Sequence, residues 1–345
     1  MEIGCKMNSH GLIVRGNTDF RLENIDALEM RPLQFAHLVE RAGYHSLWFS
    51  DHVTLPLQTV PVHFANPESG ERHYVERPQM LDALTTMAAV AAVTERVKLA
   101  TAALIAPYRP PLHDARQLAT VDWLSNGRLI AGVGAGWAKE EFAALGLDYE
   151  RRGDQTDECI QIYKTSWEDE TPHFDGEFYK FSNITMDPKP VQKPRPPIVF
   201  GSTSKAGARR AARLCDGFYP IFMHPAARPH DLDHLLDEIR CEAERVGKDL
   251  TKFMLVAEIS ARLTTADDPS LKRDLRPICE GTAEMILSDL QSFAEAGYSL
   301  AVIHQDCRDT RSADELVERV EQFGQEIIPT AKTFQPGGEW MPVPV

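Results

Sequence analysis

Cysteine is sparse and scattered: Cys5, Cys159, Cys215, Cys241, Cys279 and Cys307 form no Cys-x-x-Cys pair. That spacing excludes a zinc framework and reads as reduced, structural thiols. His63 and His73 also lack the spacing of metal ligands, so no metal is expected. Basic charge is in deficit, with 37 Lys and Arg against 51 Asp and Glu and a net charge of -14. Nucleic acid is therefore not an expected partner, because binding its phosphates takes clustered Lys and Arg. No uninterrupted apolar stretch is long enough to span a bilayer, and no membrane partner is expected. Residues 1–6, Met-Glu-Ile-Gly-Cys-Lys, carry no signal-peptide pattern. Together these absences predict a soluble, cytoplasmic protein.

Apolar residues are plentiful, at 43% of the chain, and their order is informative. The stretch 98–136 reads as one β-α-β unit. Residues 98–106 are an apolar run closed by Pro107, 113–124 has helical spacing stopped by Asn126-Gly127, and 128–136 resumes as a run ending in glycines. Similar runs fall at 1–8, 46–51, 197–201, 217–221, 253–263 and 299–304. Helical spacing follows in turn at 32–42, 81–93, 140–145 with 154–167, 205–215, 232–246, 284–296 and 313–328.

Eight strands alternating with helices predict an α/β fold closed as a (β/α)₈ TIM barrel, since closure removes both exposed edges. A doubly wound open sheet is the alternative. The expected organisation is a single domain over 1–332 with an irregular tail at 333–345. Two insertions are predicted, at 56–78 after strand two and at 171–197 before strand five. The second contains Phe174-Asp-Gly-Glu-Phe-Tyr, a hairpin pattern, ahead of a Pro-rich run. In such folds the chemistry lies at the carboxyl ends of the strands.

Three strand ends stand out. Asp51 and His52 leave strand two together, as groups that could orient a ring or move a proton; the plainer reading is a turn cap and a loop histidine. Gly132-Val-Gly-Ala-Gly136-Trp137 closes strand four but lacks the third glycine of a dinucleotide fingerprint. Its glycines fit close approach of backbone to a flat ligand. Gly201-Ser202-Thr203-Ser204-Lys205 opens a helix, as a phosphate site or an ordinary Ser/Thr cap would. Lys205, Arg209 and Arg210 add positive charge there. Glu140-Glu141 and the charges from Arg151 to Glu158 read as solvated helix faces.

Several spaced motifs resemble the luciferase-like monooxygenase family. They are Ser46-Leu-Trp-Phe-Ser-Asp-His52, the run 99–107 with Tyr108-Arg-Pro-Pro after it, and 118–137, which ends Asn-Gly-Arg-Leu-Ile-Ala-Gly-Val-Gly-Ala-Gly-Trp. Residues 141–146, 152–158, the Gly201 turn and Gly281-Thr-Ala-Glu284 extend the resemblance over nearly the whole chain. It is strongest toward the branch of coenzyme F420-dependent oxidoreductases, with the FMN-dependent branch next. The resemblance implies a barrel, a homodimer, and a flavin or deazaflavin held at the strand ends. It places Asp51 and His52 toward the ring, with His52 the catalytic acid or base. Around Ala103 and Leu104 it implies a cis non-proline bulge behind the ring. Gly134 and Gly136 would border the ring, and Gly201, Ser202 and Thr203 would hold the phosphate.

The sugar-phosphate dehydrogenases of the family carry Glu after the strand-four glycines and Trp shortly after the strand-two His. Trp137 and Pro56 stand in those places here, so a sugar phosphate is not the expected substrate. The expected activity is two-electron chemistry on a small organic substrate with F420. Monooxygenation with reduced FMN and O₂ is the alternative, and a non-catalytic flavin-binding barrel is a distant third. A lyase or isomerase barrel would need a strand-end Lys or paired carboxylates at the mouth, and the strand-end pattern shows neither plainly.

Overall fold

Eight parallel strands close on themselves. They are β1 (Glu2–Met7), β2 (Ser46–Phe49), β3 (Lys98–Thr101), β4 (Leu129–Gly134), β5 (Ile198–Gly201), β6 (Gly217–Tyr219), β7 (Met254–Leu263) and β8 (Leu300–Gln305). Each pairs in parallel with its neighbours in sequence, and β8 returns to β1 through Glu2↔Leu300 and Gly4↔Val302. This is the (β/α)₈ barrel, and the open sheet is excluded by its closure. The computed structural model describes residues 1–7, 13–15, 22–24, 29, 31–54, 80–222, 227–272, 276–305, 312–338 and 340. The insertion expected at 56–78 lies outside these. In the second insertion, Phe174–Asp175 pairs antiparallel with Lys180–Phe181, which makes the hairpin.

The helices that cover the barrel are α1 (Pro32–Arg41), α2 (Ala83–Ala91), α3 (Pro111–Leu124), α4 (Lys139–Ala144), α5 (Arg152–Glu168), α6 (Lys205–Leu214), α7 (Asp233–Val246), α8 (Ala283–Glu295) and α9 (Ala313–Glu326). Their starts follow local chemistry. The side chains of Asp82, Ser204, Thr282 and Ser312 each accept a first-turn backbone N–H, and α1 and α3 open on prolines. In α6 the small residues Gly207, Ala208, Ala211 and Ala212 make one buried face, so this helix lies close on the sheet.

Period-two alternation divides the core in two. On β1, Ile3, Cys5 and Met7 join the outer layer between barrel and helices. Trp48, Ala100, Ile130, Val199, Tyr219, Met254, Val256, Leu300 and Val302 fill the lumen. At the amino-terminal end Arg128 donates to the carbonyls of Ala91, Thr94, Val97 and Ser125, tying the foot of β4 to the end of α2. Trp340, from the segment read as an irregular tail, is buried beside Phe253 at a ring separation of 6.1 Å.

The run 98–106 is not one strand. β3 stops at Thr101, the Ala102–Ala103 peptide is cis, and Leu104–Ile105 pairs separately with Val133 and Gly134 of β4. The bulge that the resemblance implied around Ala103 and Leu104 is thus present, one bond ahead of Ala103. Periodicity could not show it, because every residue through the break is apolar or small.

Candidate active site

β2, β3, β4 and β5 are successive neighbours, so their carboxyl ends form one half of the barrel mouth. The nine residues singled out in the sequence sit on or after these ends, with different surroundings. Ala103, Gly134 and Gly201 come together. A Cβ built on Gly134 would lie 3.1 Å from the Ala103 methyl, and one on Gly201 would lie 3.4 Å from it. These three small residues, on adjacent strand ends, lie against one another, and their cluster is called the seat below. Leu104 instead points into the outer core and is fully buried. Gly136, at φ +83°, yields its side-chain space to Ile105 and Phe142, each 2.8 Å from a built Cβ. Its carbonyl accepts a hydrogen bond from Arg152.

Asp51 does not present a free carboxylate. It accepts both guanidinium N–H groups of Arg109, at 2.9 and 2.6 Å, and the Ile105 backbone N–H at 3.0 Å. Burial works against the Arg109 charge, but the bidentate partner outweighs it and holds the guanidinium protonated. Asp51 therefore ties the bulge after β3 to the end of β2. Arg109 belongs to the Tyr108-Arg-Pro-Pro motif, whose structural task this is.

His52 is held differently. Its Nδ1 lies 2.7 Å from Glu141 Oε2, and its ring meets Trp137 edge to face at 5.8 Å. The same Glu141 oxygen accepts from the Tyr108 hydroxyl at 2.7 Å. The other accepts from the backbone N–H groups of Val53 and Thr54, at 2.7 and 3.0 Å. Burial pushes the Glu141 carboxyl up, but the bonds from His52, from the Thr54 N–H and from Tyr108 outweigh it and hold the group below the ordinary carboxylate range. Burial and the neighbouring Glu141 keep the Tyr108 phenol protonated, hence a donor. An ionised Glu141 fixes His52 with its proton on Nδ1, which leaves Nε2 as the atom that can exchange one. The His52 side chain is 13% exposed and that of Glu141 is 0% exposed.

Glu141 is thus a correction to the reading of Glu140-Glu141 as a solvated face. It lies on α4 in the stripe of Ala138, Glu141, Phe142 and Leu145, spaced as one helical face counted from Ala138, and that stripe turns inward. The 152–158 cluster is corrected in part as well. Arg152 binds the Gly136 and Tyr149 carbonyls, and Glu158 accepts backbone N–H groups of Glu177, Phe178 and Tyr179 in the hairpin.

At the Gly201 turn, Ser204 accepts the Gly207 N–H and caps α6, while Ser202 Oγ accepts the Ser204 N–H. Ser202 is half-buried and Thr203 is exposed. Both the capping reading and an anion site are compatible with this turn. The charges invoked there are neutralised, however. Lys205 and Arg209 both bind Glu238, and Arg210 binds Asp157. An acidic chain has carboxylates to spare, and they sit on its few cations.

A sequence profile of the luciferase-like monooxygenase family matches residues 30–326. The chain belongs to the luciferase-like monooxygenase family. It is therefore an oxidoreductase of a family that works with flavin-type cofactors. One relative, the FMNH₂-dependent dimethylsulfone monooxygenase of Pseudomonas putida, is 37% identical over 141 residues, 40% of this chain and 39% of that one. An uncharacterized protein of Mycobacterium tuberculosis is 31% identical over 216 residues, 63% of this chain and 72% of that one. The fold is also that of an F420-dependent secondary alcohol dehydrogenase, at 20% identity and a TM-score of 0.69, covering 96% of this chain and 98% of the other. No described helix is long and apolar enough to cross a membrane.

Proposed function

We propose that this luciferase-like enzyme transfers a hydride between bound coenzyme F420 and a small organic substrate, with His52 as the proton partner. The observations that support this reading are the His52–Glu141 pair, which follows the end of β2, and the cluster of Ala103, Gly134 and Gly201 at the ends of β3, β4 and β5. A flat ring would fit against residues no larger than alanine, and an oriented imidazole at the same mouth would complete a hydride reaction, which must also move one proton. When bound, the cofactor supplies or takes the hydride at its ring. Everything else falls to the chain. Ala103, Gly134 and Gly201 would hold the ring. Asp51 and Arg109 hold the bulge that carries Ala103. The Gly201–Thr203 turn and the first N–H groups of α6 would hold the anionic tail. His52 Nε2 gives or takes the proton at the substrate heteroatom, and Glu141 stabilises the imidazolium this creates. His52, Asp51, Ala103, Gly134, Gly201, Ser202 and Thr203 are the proposed site residues. The proposed assembly is a homodimer in the cytoplasm.

A second reading, monooxygenation with reduced FMN and O₂, is favoured by the identity to the dimethylsulfone monooxygenase. There His52 would serve the oxygen-transfer step as acid. Titration of the purified protein with F420 and with FMN, followed by fluorescence, separates the two. Binding of F420 tighter than FMN by about tenfold or more, a difference of about 1.4 kcal/mol, supports the first. The reverse ranking moves the enzyme to the second. No optical change with either cofactor overturns both.

A further inference from the structure

The lumen contains a polar group that strand-end reading passed over. On β1, Gly4 and Lys6 alternate with the outward Ile3, Cys5 and Met7, and on β7 Glu258 continues the inward frame of Met254 and Val256. Lys6 Nζ lies 2.9 Å from Glu258 Oε2, and both side chains are 8% exposed. The Tyr219 hydroxyl donates to the same Glu258 oxygen. The Tyr219 ring stacks on Trp48 at 5.0 Å. A lysine of β1 and a carboxylate of β7 thus meet in the lumen.

Taking two charges out of water is expensive, and a buried pair seldom stabilises a fold more than apolar residues of the same size would. Stability is therefore a poor account of this one. Its geometry suggests another. Lys6 Nζ also donates to the Ala102 carbonyl, at 2.9 Å. Ala102 immediately precedes Ala103, whose methyl lies against Gly134 and Gly201 in the seat. Beyond the seat, Asp51 holds the Ile105 N–H. The segment 102–105 is held at one end by an ammonium from the lumen and at the other by a carboxylate from β2. Tyr219 reaches the seat as well, its ring 3.3 Å from a Cβ built on Gly201.

We propose that Lys6, held in place by Glu258 and Tyr219, is a positioning residue for the ring seat, fixing the Ala102 carbonyl and with it the depth of Ala103. The proposal rests on the seat being where the flavin-type ring lies, as the proposed function has it. Lys6 acts through the backbone, so its loss should change how the cofactor is bound before it changes how the chain folds.

The test replaces the whole network by apolar residues of similar size, in the variant Lys6→Met/Tyr219→Phe/Glu258→Met. Such exchanges are often neutral or stabilising. The expected result is a Tm at or above that of the unaltered protein, a cofactor Kd raised about tenfold or more, and a shifted absorbance band of the bound oxidised cofactor. A variant that melts normally and binds with unchanged Kd and unchanged spectrum overturns the proposal. Should the triple variant not fold, Lys6→Met/Glu258→Gln leaves Tyr219 an oxygen to donate to and is read in the same way. Lys6→Arg, which keeps a cation able to reach Ala102, should recover part of the affinity. Failure of the unaltered protein to bind either cofactor would count against the proposed function instead, and is seen before any variant is compared.

Discussion

Two buried carboxylates each hold a side-chain nitrogen at nearly the same separation, 2.7 Å for Glu141 with His52 and 2.9 Å for Glu258 with Lys6. They differ in what they leave free. Glu141 collects four donors, two of them backbone N–H groups, so the carboxylate is fixed, while its imidazole partner is engaged through Nδ1 and keeps Nε2 for another partner. Glu258 binds an ammonium that is itself bound to a carbonyl, so that pair is turned toward the protein. Equal geometry therefore serves two ends. On the proposals above, one pair exchanges a proton and the other holds a backbone still.

The most direct way to break this contrast is His52→Ala. Turnover should fall by about 10²–10⁴-fold, the range of a lost acid–base group, with cofactor affinity largely kept. Steady-state rates beside a binding titration check both halves. A rate close to that of the unaltered enzyme would remove His52 from the mechanism and leave both pairs as scaffolding.

Glu141→Gln is expected to cost less, about 10²-fold in kcat, because His52 remains but is wrongly poised. An amide has a single oxygen and places an N–H₂ where His52 and Tyr108 already donate, so the imidazole must switch tautomer. KM should change little and the pH–rate profile should move. Stability should respond too, with a definite sign. The folded carboxyl titrates below the ordinary 4.5, so the stability it contributes is fully present above that pH and is lost as pH falls through the folded value. Thermal melts between neutral and acid pH should therefore be flatter for Glu141→Gln. Parallel melting curves would deny the carboxylate its ionised role.

The two pairs were unequally legible in the sequence. His52 was visible because it follows a buried strand at the end where ligands sit. Glu141 was hidden by Glu140, since adjacent charges on a helix do not say which one turns inward. A usable signal was there, because Glu141 shares the 138, 142, 145 stripe whose other members are apolar. Lys6 and Glu258 were hidden by the apolar runs around them. Only a strict period-two count places each on the lumen face, with Gly4 and with Val256 respectively. The eight βα units were readable because buried parallel strands are written as apolar runs and helices as spaced ones. The interruption at 102–103 was not, since Ala, Ala and Leu satisfy either description.

Two glycines of β4 meet different surroundings. A Cβ on Gly132 would lie 1.8 Å from the Thr101 carbonyl oxygen, so any substitution there forces strands apart. At Gly134 the nearest obstacle is the Ala103 methyl at 3.1 Å. Gly134→Val should therefore fold, with a cost of about 1–3 kcal/mol appearing mainly as weaker cofactor binding. The Kd from titration and the Tm from melting are read together. Unchanged affinity with a lowered Tm would make Gly134 a packing residue like Gly132.

The smallest effect is expected where charge suggested the largest. Lys205 opens α6 beside the proposed phosphate turn, but its ammonium and the Arg209 guanidinium share Glu238 at 2.9 and 2.7 Å. The Lys205 side chain is 60% exposed, and exposed pairs contribute little in either direction. Lys205→Ala should therefore change cofactor affinity by less than about threefold, since backbone N–H groups and hydroxyls would do the gripping. Glu238→Ala should do the opposite of what its distance from the ring suggests. It releases two cations toward an anionic tail, so binding should tighten slightly and become more sensitive to salt. If Lys205→Ala instead lost tenfold or more, the ammonium would have to leave Glu238 for the cofactor on binding, and the turn would owe its grip to side-chain charge.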